Sequence, residues 1–173
     1  PRAVLLGLDI GTYGSAFKTC KGLLERHGAE RVIDMPLCES AGIGFALGAS
    51  QVGSRPIYEF QFADFGTEAC TQVGLNCGTW FFRSGHEAPL LLRLPCGGGV
   101  TMGAFHSGEF EGLWSRFPGL KLLYPATAQE TFEAILAGYF DPNPCLVFEH
   151  KLLYWSKSGD IDFDGNLASL WNP

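Results

Sequence analysis

The chain has 173 residues, enough for one domain with a core of its own. Its formal charge of −6, with no run of Lys or Arg, excludes nucleic acid and anionic membrane surfaces as partners. Charged residues make up 17% and hydrophobic residues 46%, against a usual charged share of about 25%, so part of the surface is expected to lie against another domain or subunit. The six cysteines (Cys20, Cys38, Cys70, Cys77, Cys96 and Cys145) form no C-x-x-C pair and no zinc spacing, and read as free thiols. No run of 18 apolar residues is present that would predict a membrane span.

In chain order, short β-rich runs alternate with helical patterns. Val4–Asp9 predicts a strand, followed by a glycine-rich turn and a helix over Phe17–His27. Arg31–Met35 predicts a strand and Glu39–Gln51 a helix; Pro56–Phe60 predicts a strand and Asp64–Trp80 contains a helix. Leu90–Leu94 predicts a strand, then a glycine-rich loop and a helix near Glu109–Phe117. Leu120–Tyr124 predicts a strand, Thr127 caps a helix reaching Phe140, and Leu146–Phe148 predicts the last strand. The strands are apolar throughout, as strands covered on both faces are. The expected fold is therefore α/β, a three-layer sandwich around a mostly parallel sheet of about six strands. Residues 1–155 read as the domain, and 156–173 as an irregular tail leading toward a further domain.

In such sheets the chemistry gathers at the carboxyl ends of the strands. That selects four stretches, Gly7–Ser15, Pro36–Ser40, Gln61–Phe65 and Pro95–Glu109, of which the last three hold candidate chemistry. In Met35–Ser40 a strand ends, Pro36 blocks helix, and Glu39 opens a helix. That helix, Ala41–Ala49, has no polar face and holds three glycines, so it is expected to be buried all round against another backbone. Glu39 reads either as a partner of the helix dipole or as a functional carboxylate. In Gln61–Phe65 polar and aromatic side chains alternate, which suits a flat ligand with one hydrogen-bonding edge, or else Asp64 simply caps a helix. Pro95–Gly108 combines three successive glycines with His106, but no phosphate-loop spacing. Asp160–Gly165 opens like a calcium loop, yet its twelfth position is Trp171, which supplies no carboxylate.

Six collinear pieces carry a resemblance: Arg31–Ser40 (RVIDMPLCES), Arg55–Phe65 (RPIYEFQFADF), Phe82–Gly85 (FRSG), Phe105–Ser107 (FHS), Phe117–Lys121 (FPGLK) and Asp141–Glu149 (DPNPCLVFE). Together they resemble the β subunit of the E1 component of 2-oxo acid dehydrogenase complexes, in the pyrimidine-binding domain that it shares with transketolase. The branched-chain and pyruvate types are the most similar. The resemblance implies thiamine diphosphate, bound jointly with an α-type subunit that holds the diphosphate and Mg²⁺; the G-D-G…N-N motif for that task does not occur in this sequence. Glu39 matches the carboxylate that contacts N1′ of the aminopyrimidine ring. It favours the tautomer whose 4′-nitrogen removes the thiazolium C2 proton, a task that calls for a buried carboxyl with a raised pKa. Leu37, Gln61 and Phe65 match the wall around that ring, and His106 matches a histidine that assists acyl transfer. Asp141 and Asn143, with carbonyls of Leu90 and Leu91, match a site for a monovalent cation such as K⁺. A second copy of the chain, a lipoyl-bearing E2 component and a 2-oxo acid are the implied partners. The implied location is the bacterial cytoplasm or the mitochondrial matrix. Two departures stand out: Leu8 replaces a carboxylate after the first strand, and Gly108 replaces a glutamine. They leave open a non-catalytic assembly domain; a transketolase-type or acetoin-cleaving relative is the other alternative.

Overall fold

The computed structural model describes residues 3–156 and 159–163. Six strands, β1 (Ala3–Gly7), β2 (Val32–Asp34), β3 (Arg55–Glu59), β4 (Leu91–Cys96), β5 (Lys121–Leu123) and β6 (Cys145–His150), form one sheet in the order β2-β1-β3-β4-β6-β5. Every pairing is parallel. Helices α1 (Leu23–His27), α2 (Glu39–Gln51), α3 (Trp80–Ser84), α4 (Glu111–Trp114) and α5 (Ala128–Phe140) complete the expected three-layer α/β arrangement.

The alternation of side chains along each strand divides the core in two. Leu6, Tyr58, Leu92, Leu94, Leu146 and Phe148 face one layer, with Ile43, Ala46 and Leu47 of α2 and the fully enclosed Trp114 of α4. Leu91, Cys145 and Val147 face the other, against Ala134, Ile135 and Tyr139 of α5. At the β2 end, Leu5 and Val32 meet Leu23 and Leu24 of α1. Helix α5 has the strongest local start signal: Thr127 Oγ1 accepts from the Glu130 amide at 3.1 Å, while Glu130 Oε2 accepts from the Thr127 amide at 3.2 Å.

Three helix expectations need correction. The segment 17–27 is helical only from Leu23. Ser15 and Lys18 adopt left-handed backbone, and Ser15 Oγ accepts from the Thr19 amide at 3.1 Å, a local bond that competes with helix. The segment 64–80 is not one helix but a 3₁₀ turn (Ala63–Thr67), a wide π turn (Thr71–Cys77) and the short α3. The widening seats Gly74 on the ring of Phe117, where a Cβ would stand 2.5 Å from it. Helix α2 is not buried all round: Gly42 packs on the Tyr58 ring, but Ala41, Phe45 and Gly48 form an exposed stripe.

The described part of the tail has no regular structure but is docked on α5. The Asp162 amide donates to Gln129 Oε1 at 2.8 Å, and the Phe163 ring lies 5.0 Å from that of Phe132. The rest of the tail, including the end of the calcium-like stretch and Trp171, lies outside the described residues.

On the α5 side of the sheet, Arg93 of β4 lies between Glu149 of β6 and Glu59 of β3. Its Nε and Nη2 donate to Glu149 at 2.6 and 2.7 Å, and Nη1 donates to Glu59. Burial works against the guanidinium charge, but the two carboxylates outweigh it and raise the Arg93 pKa. Removing the arginine leaves two buried carboxylates uncompensated. Arg93→Met is expected to lower unfolding stability by about 3–5 kcal/mol, read by urea titration; a loss under about 1 kcal/mol would refute this role.

Candidate functional site

The carboxyl ends of β1 to β4 surround a cavity of about 580 Å³, within the range of small-molecule sites. It lies where the strand order reverses, since β1 has β2 on one side and β3 on the other. Leu8 follows β1, Leu37 and Glu39 follow β2, Gln61 and Phe65 follow β3, and Phe105 follows β4; all line the cavity. Four residues expected at one site from sequence (Leu37, Glu39, Gln61 and Phe65) therefore do share one. The walls are largely apolar, with the Glu39 carboxylate from α2 and the Gln61 carboxamide joined by the polar residues Asp64, Thr67 and Glu68.

Glu39 is the first residue of α2 and is half-buried at the cavity edge, not enclosed as the sequence led us to expect. Behind it, burial, and then the charge of Glu39, push the Tyr58 phenol pKa up. Glu68 has a part that the sequence did not signal. Its Oε2 accepts from the Ser40 amide at 2.7 Å and its own carbonyl accepts from Ser40 Oγ at 2.9 Å, so it caps α2 from 28 residues away. Gln61 donates from Nε2 to Asp9 Oδ2 at 3.1 Å. Leu37 is 76% exposed, an apolar side chain at the rim.

His106 does not line the cavity directly. It ends the 3₁₀ turn Ala104–His106, and its ring meets Phe65 edge-on at 5.5 Å and Phe62 at 4.5 Å. Phe65 thus separates the imidazole from the cavity. Asp64 is not a helix cap: its Oδ1 accepts from the Gly108 amide at 3.0 Å, holding the His106 loop to the turn after β3.

The four residues expected to hold a monovalent cation lie at the opposite, amino ends of the strands. Asp141 Oδ1 accepts from the Asn143 amide and side chain at 2.8 and 3.1 Å, and Oδ2 accepts from the ammonium of Lys121. The Leu90 carbonyl accepts from the Cys145 amide at 2.9 Å, and Leu91 is paired within the sheet. A lysine therefore already neutralises the one carboxylate of this donor set. Among the described residues no group of three or more His, Cys, Asp or Glu side chains is arranged to hold a metal. The six cysteines are free, as expected, and burial pushes Cys77 and Cys145 up to about 12 and Cys96 to about 11, so these three stay protonated thiols at neutral pH.

Residues 1–156 match the family model described as the transketolase pyrimidine binding domain. The chain belongs to this family. The pyrimidine-binding domain is 39% identical over 165 residues to the 2-oxoisovalerate dehydrogenase subunit beta of Bacillus subtilis, covering 94% of this chain and 50% of that protein. It is 35% identical over 171 residues to the chloroplastic pyruvate dehydrogenase E1 component subunit beta-2 of Arabidopsis thaliana, covering 96% and 42%. It is 36% identical over 163 residues to the pyruvate dehydrogenase E1 component subunit beta of Mycoplasma genitalium, covering 93% and 50%. The chain thus spans about half the length of the curated relatives it matches.

The Asp141–Lys121 contact makes the acid stability of this domain testable. Burial works against the Asp141 carboxylate, but the Lys121 and Asn143 donors outweigh it and lower its pKa. A carboxyl with a lowered folded pKa contributes stability above its unfolded pKa, near 4, and loses it as the pH falls through the folded value. Lys121→Met should therefore flatten the fall in stability below about pH 4, followed by thermal melts across pH 2–6. An unchanged acid limb would show that the contact contributes nothing.

Proposed function

We propose that this chain is the pyrimidine-side half of a thiamine diphosphate-dependent 2-oxo acid dehydrogenase, acting with an α-type subunit or domain. The observation that carries the reading is Glu39, presented by the first turn of α2 into an apolar cavity at the strand-order reversal. A flat aminopyrimidine fits its walls: Leu37 and Phe65 supply apolar contact, and Glu39 and Gln61 are the polar groups that orient a nitrogen-bearing ring. When bound, thiamine diphosphate supplies an electron sink for decarboxylation of the 2-oxo acid.

The chain's own residues have three tasks. The Glu39 carboxyl holds and returns a proton at a ring nitrogen of the aminopyrimidine. Phe65 and the cavity's other apolar walls exclude water, which strengthens that hydrogen bond. His106, backed by Phe62 and Phe65, orients the acyl acceptor and moves a proton at its imidazole during transfer. The diphosphate and Mg²⁺ fall to the α-type partner, because the motif for them is missing from this sequence. A lipoyl-bearing E2 component is the proposed acceptor and a second copy of the chain a further partner. The setting is the bacterial cytoplasm or the mitochondrial matrix.

The test is Glu39→Gln in the complete protein with its α-type partner. Decarboxylation of 2-oxo acids is expected to fall by at least about a hundredfold, with the circular dichroism spectrum and melting temperature unchanged. Activity within about threefold of the parent protein would overturn the assignment, since a loss below a factor of about ten is too small for a general acid–base residue.

A further inference from the structure

Two opposite charges are buried beneath the His106 loop, each with an atom that no hydrogen bond engages among the described residues: Asp64 Oδ2 and Lys151 Nζ. Lys151 is 0% exposed and Asp64 8%. Burying an ammonium without a hydrogen bond is costly, and its usual outcome is loss of the charge. Burial does push the Lys151 pKa down; the acidic groups facing it, Cys96, Asp64 and Glu109, oppose that shift. Burying polar atoms without partners costs stability, so fold stability alone gives no reason for either group.

The geometry points elsewhere. Lys151 opens the turn Lys151–Trp155 at the carboxyl end of β6, and its Nζ lies over the Phe62 ring, 5.7 Å from the centroid. Phe62 is the ring against which His106 stands, 4.5 Å away and nearly perpendicular. Asp64, two residues on, takes the Gly108 amide on Oδ1 at 3.0 Å, while the Gly108 carbonyl accepts from the Gly97 amide at 3.1 Å. The approach is close: a Cβ on Gly108 would stand 2.7 Å from the same Asp64 oxygen. This gives glycine a reason at the position where the resemblance expected glutamine.

We propose that Asp64 and Lys151 are positioning residues, two buried polar side chains that fix the loop 103–108 and the imidazole of His106 against Phe62 from two sides. Lys151 sets the ring behind the imidazole, and Asp64 sets the backbone two residues after it. The catalytic consequence rests on the reading of His106 as an acyl-transfer residue; the ordering of the loop does not.

The experiment uses the complete protein with its α-type partner and three variants: Lys151→Met, Asp64→Asn and the double variant. Amide deuterium uptake at 103–108 is expected to rise about tenfold in either single variant, with melting temperature held or raised in Lys151→Met. The double variant should show an effect at least as large as the worse single one, because the two residues act through different contacts, the Phe62 ring and the Gly108 amide. Acyl transfer to a lipoyl domain should fall about tenfold while decarboxylation of the 2-oxo acid, read with an artificial electron acceptor on the same preparation, is unchanged; loss of folded protein would lower both rates alike. Unchanged uptake at 103–108 in both single variants would overturn the proposal. Activity retained in Glu39→Gln would instead sink the cofactor reading and leave the uptake result standing. Should Lys151→Met not fold, the near-isosteric Asp64→Asn carries the uptake test alone.

Discussion

The contact between Arg93 and its two glutamates holds the middle of this molecule in register. Glu59, Arg93 and Glu149 come from three adjacent strands, and all three side chains point to the α5 side of the sheet. A single guanidinium has enough donors in one plane to satisfy both carboxylates. The network also extends beyond the sheet. Tyr154 donates to Glu149 at 2.8 Å and so draws in the turn after β6. Thr19 Oγ1 and Cys20 Sγ donate to Glu59 at 3.1 and 3.2 Å, and so draw in the turns between β1 and α1. Burial, then the charge of Glu59, push the Cys20 thiol up to about 12, which keeps it a donor.

A sheet held this way delivers its carboxyl ends to fixed positions, and the candidate site depends on that. The cavity takes one or more residues from the connections after each of β1 to β4. Along one side of it an aromatic series runs from Phe65 to Phe62 and on to Phe17 and Tyr154, each pair in ring contact. Tyr154 is also the residue that bonds Glu149. The buried ion network and the walls around His106 are therefore joined by continuous packing, which makes the site rigid without any cross-link.

Chemically, the cavity divides its work between two kinds of support. Glu39 is held from below by helix α2, whose first turn is fixed by Glu68 through the Ser40 amide. His106 is held from the side by aromatic faces and by a loop whose Gly108 is bonded at both its amide and its carbonyl. Leu8 stands in the cavity wall, at the position where the resemblance implied a carboxylate. Here it adds apolar surface to the wall that Glu39 shares.

How much of this was legible in the sequence follows from which forces are local. Strand-helix alternation, the parallel sheet and the start of α5 depend on side-chain period, apolar runs and a capping box spanning Thr127 to Glu130, all of them short-range. The grouping of Leu37, Glu39, Gln61 and Phe65 was legible through the order of motifs, because strand ends of a parallel sheet gather on one edge. Whether a helical pattern survives was not: the widening within 64–80 seats Gly74 on the Phe117 ring, distant in sequence, and the break at 17–22 rests on left-handed backbone at Ser15 and Lys18 that an apolar period does not register. Nor were the Glu68 cap, the engagement of Asp141 by Lys121, or the burial of Lys151 under Phe62, since each joins residues 20 or more positions apart. By itself the sequence determined the layered fold and the meeting of Leu37, Glu39, Gln61 and Phe65, for these follow from periodicity and motif order. Only the tertiary structure decided which charges are paired, which helices are broken and how the His106 loop is held, because desolvation and close packing exist only once distant segments meet.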